Sequence, residues 1–392
     1  MKLLFVYDMR VWENGSYYYT TSITQEIIDR YRSLYQSIAW CTCVVPNPDT
    51  AFCQKFNPIR RDSVEMISLH KISSAGDLIK YRRENSRILE QAIQNSERVI
   101  IRLPSLIGGE AAALAERYGK PYMVELVSCT WDALWNHSLR GKLLAPWSWV
   151  RTRQEVKRAP MVLYVTNQFL QRRYPTAGLS VGCSDVSLPG VDEAVLRRRL
   201  ERIGGRAPGG APLRLGTIAA VNVRYKGQAD VIKALAALKR QGIRMEYELA
   251  GSGDPSRLRT LAQRLGVEDQ VHLLGSVPHD KIFAWLETID LYLQPSKQEG
   301  LPRAVVEAMS CACPVAGART GGIPELVDEE WIFRPGDVKD ICRILQKAAA
   351  EDLSRQAQRS FQVATRYEKD RLEQLRGEFF QKFVQQKGGG ST

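Results

Sequence analysis

Gln294-Pro-Ser-Lys-Gln-Glu-Gly-Leu-Pro-Arg-Ala-Val-Val-Glu-Ala-Met309 is the stretch whose reading decides the fold. It follows a short apolar run, Leu291–Gln294, and passes through a loop into a helix at Arg303–Ser310. Glu299 falls in the loop and Glu307 one to two turns into the helix. Pro302 suits the first turn, where a missing N–H costs nothing. The amides of Gly300, Leu301 and Arg303 are then expected to point out of the helix N-terminus, where unpaired donors and the dipole favour an anion. Two carboxylates beside an anion site make sense if they accept hydrogen bonds from sugar hydroxyls rather than face the phosphates.

The pattern repeats in both directions from this point. Strand-like runs at Arg214–Ala219, Met245–Ala250, Gln270–Leu274 and Pro314–Ala316 alternate with helical stretches at Ala229–Gln241, Pro255–Leu265, Lys281–Thr288 and Ile323–Val327. Upstream, Lys2–Tyr7, Ile38–Val45, Arg98–Arg102, Tyr122–Leu126 and Met161–Val165 alternate with helices such as Ser22–Tyr35 and Asp77–Gln94. Such alternation builds βαβ units and parallel sheets. The fold class is therefore α/β, with two tandem Rossmann-like domains facing each other across a cleft. Residues 1–186 form the first domain and 187–364 the second. The Arg- and Gly-rich stretch 197–213 reads as an exposed connection. Residues 365–387 read as a C-terminal helix packing back on the first domain, and 388–392 as a flexible tail.

Composition agrees and sets limits. A chain of 392 residues exceeds the ~250–300 at which one core stops growing. The net charge of +12 suits nucleic acid, acidic lipid headgroups or phosphorylated substrates, and does not choose among them. No RNP, zinc-finger or helix-turn-helix pattern accompanies that charge, so nucleic acid is not the expected partner. The eight cysteines show no zinc spacing and read as reduced thiols of a cytoplasmic protein. His70, His137, His272 and His279 have no metal-ligand spacing either. The first apolar run meets Arg10 too soon for a signal peptide, and no window is long enough to span a membrane.

A second informative segment is Gly216-Thr-Ile-Ala-Ala-Val-Asn-Val-Arg-Tyr-Lys-Gly-Gln-Ala-Asp230, a strand leading through a basic loop into a helix. Arg224 and Lys226 suit a diphosphate, and Gly227 allows close backbone approach. Further Gly-rich turns follow at Leu249–Gly253, Val271–Pro278 and Ala318–Val327.

Together these segments resemble glycosyltransferase family 4, the retaining group 1 transferases of GT-B architecture, whose E-x7-E motif matches Glu299 and Glu307. The likeness is close over about residues 214–337, in what it implies is the donor-binding domain, and loose in the first domain, as expected if residues 1–186 carry the variable acceptor site. It implies that Glu299 contacts the transferred sugar and Glu307 the ribose of the nucleotide. It also implies that Lys226, Arg224, Asn222, Gly300, Leu301, Pro302, Gly275 and Gly322 line the donor site. The family's arginine after the first strand of this domain is replaced by the neighbourhood Ala219-Ala220-Val221, so its role is lost or moved to Arg224. In the first domain, Gly15 of Asn14-Gly15-Ser16 stands where the family has a glycine loop. Glu125 stands near the position of a histidine that faces the donor sugar, and is a candidate carboxylate at the reacting centre.

The function so implied is retaining transfer from a UDP- or GDP-linked sugar, without a metal or other cofactor. The acceptor would be a lipid-linked glycan or polysaccharide precursor in cell-surface glycan biosynthesis. A sugar-nucleotide epimerase of the same architecture is the alternative, and a basic nucleic-acid-binding protein a weaker one. The segment Trp131–Arg158 mixes four tryptophans with six basic residues, which suits peripheral binding to an anionic membrane on its cytoplasmic face. Pro146 is expected to divide that segment into a short helix, a bend and a second helix.

Overall fold

The computed structural model describes residues 2–47, 49–72, 74–136, 139–206 and 211–386. The expected tail at 388–392, His137 and the glycine pair at 209–210 lie outside these residues. The chain forms two sheets in tandem, flanked by helices. The first contains β1 (Lys2–Asn14), β2 (Tyr17–Thr20), β3 (Ser37–Pro46), β4 (Asn57–Arg60), β5 (Glu65–Ser68), β6 (Arg98–Leu103), β7 (Tyr122–Leu126), β8 (Met161–Tyr164) and β9 (Leu179–Gly182). Its parallel part has the order β5-β3-β1-β6-β7-β8-β9. Leu3, Leu4, Phe5 and Val6 are all buried, as a strand covered by helices on both faces requires.

The second sheet contains β10 (Leu213–Ile218), β11 (Met245–Ala250), β12 (Val271–Gly275), β13 (Leu291–Gln294), β14 (Val315–Ala318) and β15 (Ile332–Phe333). All pairs are parallel, in the order β12-β11-β10-β13-β14-β15. Strand order reverses between β10 and β13, and open α/β sheets bind ligands at the carboxyl ends of the strands beside such a reversal. The loops there are 219–227 and 295–302, which hold Lys226 and Glu299. In the first sheet the reversal lies between β1 and β6.

Three local expectations need correction. The connection is helical rather than an exposed coil over Glu193–Gly204, and Arg199 on that helix is buried with hydrogen bonds to the carbonyls of Leu286, Ile289 and Cys311. Its arginines spend their charge on the second domain, which an Arg-rich composition alone does not reveal. Pro146 sits inside one continuous helix, Leu139–Arg158. Pro146 is exposed, so the carbonyl it orphans lies on the solvent side, where water replaces the lost N–H. Strand β1 runs on to Asn14 and turns back through Gly15 into antiparallel β2, so this segment is a hairpin turn.

The helix Lys369–Gln385 lies on the first sheet's side of the molecule. Phe379, Phe380 and Phe383 are buried, the Phe380 ring is 6.0 Å from that of Tyr31, and Arg98 lies 5.9 Å over Phe383. Arg30 pairs with Glu373 at 2.9 Å, and Arg376 donates to the Ser184 carbonyl at 2.6 Å.

Candidate active site

Three strand-end loops build the candidate site: those after β10, β13 and β7. After β10 the chain makes a tight turn, Arg224–Lys226, that ends on Gly227 at φ 79°. A Cβ on Gly227 would lie 2.0 Å from the Pro295 carbonyl oxygen, so only glycine lets the two loops touch. That contact brings Lys226 Nζ to 2.6 Å from Glu299 Oε1. Glu299 Oε1 also accepts from Gln294 Nε2 at 3.0 Å, and Gln294 is itself held by Tyr292 and Ser296. The Tyr292 hydroxyl in turn accepts from the Ile218 amide at 3.1 Å. Glu299 is thus the end of a hydrogen-bonded chain rooted in two adjacent strands, which fixes the carboxylate before any ligand arrives.

The helix Arg303–Ser310 begins just past this loop, with Pro302 at the N-cap rather than in the first turn. Glu307 on that helix is buried, and its Oε1 lies 3.2 Å from His279 Nε2. Gly300 accepts from the Gly322 amide at 2.7 Å, which draws the loop after β14 over the site. Arg224 is exposed beside Arg257, whose charge is disfavoured by burial first and by Arg224 second. Two like charges held together in this way make a local field for an anion. Asn222 lies against Gly253 in the next loop, and Gly275 closes β12 by accepting from the Gly251 amide at 2.8 Å.

Opposite these groups stands the loop after β7. Ser128, Cys129 and Asp132 share a cavity of about 120 Å³ with Tyr225, Lys226, Gln298, Glu299 and Gly300. Asp132 lies 3.5 Å from Arg173, and burial holds its carboxyl above the usual range against the opposing pull of that arginine. The two domains are joined here by Glu325, whose carboxylate accepts from the amides of Asn167, Gln168 and Phe169 at 2.7, 3.0 and 2.5 Å. Among the described residues no group of three or more His, Cys, Asp or Glu side chains is placed to hold a metal ion.

Residues 217–362 match the family model for group 1 glycosyl transferases. The CapJ protein of Staphylococcus aureus is 30% identical over 352 residues, covering 89% of this chain and 86% of its own. This chain belongs to the group 1 glycosyltransferases. The amylovoran biosynthesis glycosyltransferase AmsK of Erwinia amylovora is 35% identical over 144 residues, 34% of this chain and 35% of that one. In fold, the chain is similar to Anabaena HepE, solved in complex with UDP, at a TM-score of 0.64 and 17% identity over 97% of this chain and all of that one. The two-sheet GT-B architecture expected of a glycosyltransferase is therefore present.

Within that glycosyltransferase frame, two candidate residues stand away from the others. Gly15 sits at the tip of the β1–β2 hairpin, held by Arg61. Glu125 points from β7 into the first domain, where the Tyr31 hydroxyl donates to it at 2.7 Å and Arg102 lies 3.8 Å away. It serves a buried ion network that includes Asp185, and does not line the cavity beside Glu299. The carboxylate that does so from this domain is Asp132, seven residues on. The sequence reading missed it, together with Gln294 and Arg257. Its only signal was its position just past a strand end, in the run Trp131-Asp132-Ala133-Leu134-Trp135.

Proposed function

We propose that the protein transfers a sugar, with retention of anomeric configuration, from a UDP- or GDP-linked donor to a hydroxyl of a lipid-linked glycan or polysaccharide precursor. The observation that carries this reading is the 2.6 Å Lys226–Glu299 pair at the strand-order reversal of the second sheet. Lys226, with Arg224 and Arg257 nearby, offsets the charge of the departing diphosphate, so no metal is required. Glu299 receives sugar hydroxyls, and Glu307 those of the ribose. The acceptor oxygen forms the new glycosidic bond, the bond from the anomeric carbon to the diphosphate breaks, and the hydroxyl proton leaves with the diphosphate. HepE has been solved with UDP and with UDP-glucose, and AmsK is named for amylovoran biosynthesis, which supports a nucleotide-sugar donor and a polysaccharide product here.

Binding of UDP and GDP by calorimetry tests the donor site. Lys226→Ala and Glu307→Ala should each weaken the better nucleotide about tenfold or more, since a hydrogen bond to a charged group contributes ~1.5–3 kcal/mol. Unchanged affinity in both variants removes the assignment. Nucleotide release should persist in EDTA, and loss restored by magnesium or manganese would refute the metal-free mechanism.

The reading extends to the cytoplasmic face of an anionic membrane. On the helix Leu139–Arg158, the side chains of Leu139, Leu143, Trp147 and Val150 form one stripe open to solvent, flanked by Arg140, Lys142 and Arg151. No helix among the described residues is long and apolar enough to cross a membrane, so contact through this stripe would be peripheral. Sedimentation with anionic vesicles should fall with salt and when Leu143 and Trp147 become Ser. Absence of binding at low salt eliminates this part.

A further inference from the structure

The two carboxylates of the donor site keep different electrostatic company. Lys226 compensates Glu299 at 2.6 Å, and Gln294 anchors it. Glu307 finds no such partner on its own helix. Arg303, one turn earlier, is exposed and makes no ion pair with it, and among the described residues the one side chain bonded to its carboxylate is that of His279. A buried charge with a single partner depends on that partner for its energy and for its direction.

His279 is placed to give that direction. It opens the helix His279–Thr288, directly after Pro278 and the loop that follows β12. Phe283, one turn on, meets its ring at 87° with centroids 5.5 Å apart, so an aromatic holds the imidazole on one side and the carboxylate holds it on the other. Its Nε2 lies 3.2 Å from Glu307 Oε1. An ionised carboxylate only accepts hydrogen bonds, so Nε2 carries the hydrogen and donates it. One oxygen of Glu307 is then taken and the other is left for a ligand. The imidazole is 71% exposed and the carboxylate 7%, so the ring forms part of the wall between Glu307 and solvent.

We propose that His279 is a positioning residue for the nucleotide, one that holds the first oxygen of Glu307 and so turns the second toward the ribose diol; this rests on the reading that Glu307 receives the ribose hydroxyls. His279 thereby sets how strongly the protein prefers a nucleotide that carries both hydroxyls. A carboxylate offers about four lone-pair sites, so one imidazole bond leaves room for the diol. Calorimetry on the full chain would compare UDP with dideoxy-UDP, which lacks both ribose hydroxyls, and GDP with dideoxy-GDP should GDP bind more tightly. The wild type should prefer the hydroxylated nucleotide about tenfold or more, as expected of hydroxyls bonded to a charged group. His279→Phe keeps a ring against Phe283 and removes the donor. It should cut that preference about threefold or more, because Glu307 loses the bond that orients it. Affinity for the dideoxy nucleotide should stay unchanged, which also shows that the variant folds. His279→Gln, whose amide donates from a similar place, should restore most of the preference.

A ring that only supports the fold would weaken both nucleotides alike in His279→Phe, and a ring that blocks Glu307 would let the hydroxylated nucleotide bind more tightly there. Either result, or an unchanged preference, overturns the positioning role. His279→Gln behaving as His279→Phe overturns it too, since shape rather than a donated hydrogen bond would then be what matters. Glu307→Ala separates that failure from failure of the reading beneath it. If Glu307→Ala abolishes the preference while His279→Phe keeps it, Glu307 still receives the ribose and His279 has no part in it. If Glu307→Ala keeps the full preference, the ribose hydroxyls are received elsewhere and both readings fall.

Discussion

At the scale of single residues, the first domain offers two carboxylates for one role, and their surroundings separate them. Glu125 is satisfied by Tyr31 and Arg102 inside the domain, whereas Asp132 meets the cavity that holds Lys226 and Glu299. Asp132→Asn should therefore reduce nucleotide release more than UDP affinity, while Glu125→Gln should act through stability. Burial raises the Asp132 carboxyl, so if the ionised form is needed, activity should fall on acidification from a pH above the usual carboxylate range. Asp132→Asn should lose that acid limb in whatever activity it keeps. An unchanged limb would assign it to another group. Gln294→Ala frees Glu299 from its anchor and should lower turnover with little change in UDP affinity, because it touches the carboxylate and not the nucleotide. The pair Glu299 and Glu307 was legible in the sequence because the loop and helix that carry them are one local segment. Asp132 was not, because it lies on the short helix Thr130–Trp135 past the end of β7, and which face of that helix meets the second domain is set by contacts distant in sequence.

At the scale of elements, the short segment after β8 and the short helix Ile323–Leu326 act as a clasp. Three backbone amides converge on the Glu325 carboxylate, and each would exchange that charged partner for water if the domains separated. Glu325→Ala should therefore bias the chain toward an open cleft, with a larger radius of gyration in solution scattering and weaker donor binding. Loss of charge-assisted bonds of this kind costs ~1.5–3 kcal/mol, enough to shift a two-state opening by about tenfold or more. An unchanged radius would mean that closure rests on other contacts, such as the Gly300–Gly322 bond. The run Ile323-Pro-Glu-Leu reads as a helix from sequence, yet its partner lies more than 150 positions away, so the clasp itself leaves no local trace. The helix Leu139–Arg158 shows the converse. Its proline argued for a break, but an exposed proline costs one hydrogen bond on the wet side of a helix held down by Gly141, Ala145, Thr152 and Val156.

At the scale of the whole molecule, both sheets follow one plan, and alternating apolar and amphipathic runs made that plan readable before any contact was known. The sequence also reads residues 365–387 as a C-terminal helix that packs back on the first domain; what the pattern leaves open is which side chains meet there. The helix Lys369–Gln385 follows the second domain in sequence but buries Phe379, Phe380 and Phe383 in an apolar core shared with Leu3, Tyr31 and Tyr35 of the first. Polar contacts repeat the connection: Lys369 pairs with Glu26 at 2.8 Å, Arg376 reaches the Ser184 carbonyl, and the Cys183 thiol donates to the Leu372 carbonyl. The helix is therefore a structural part of the first domain, and its stability should be read there. Phe380→Ala removes a fully buried ring and should cost about 3–5 kcal/mol, much of the margin of a typical domain. Hydrogen exchange on the intact chain locates the loss. Protection should fall first in the helix Gln25–Arg32, which carries Tyr31, and in β1, while β10, β11 and β13 keep theirs until global unfolding. Loss of protection in the second sheet before the first would mean that the helix serves the domain it follows, and that its contacts with Tyr31 and Arg98 add little to the stability of the fold.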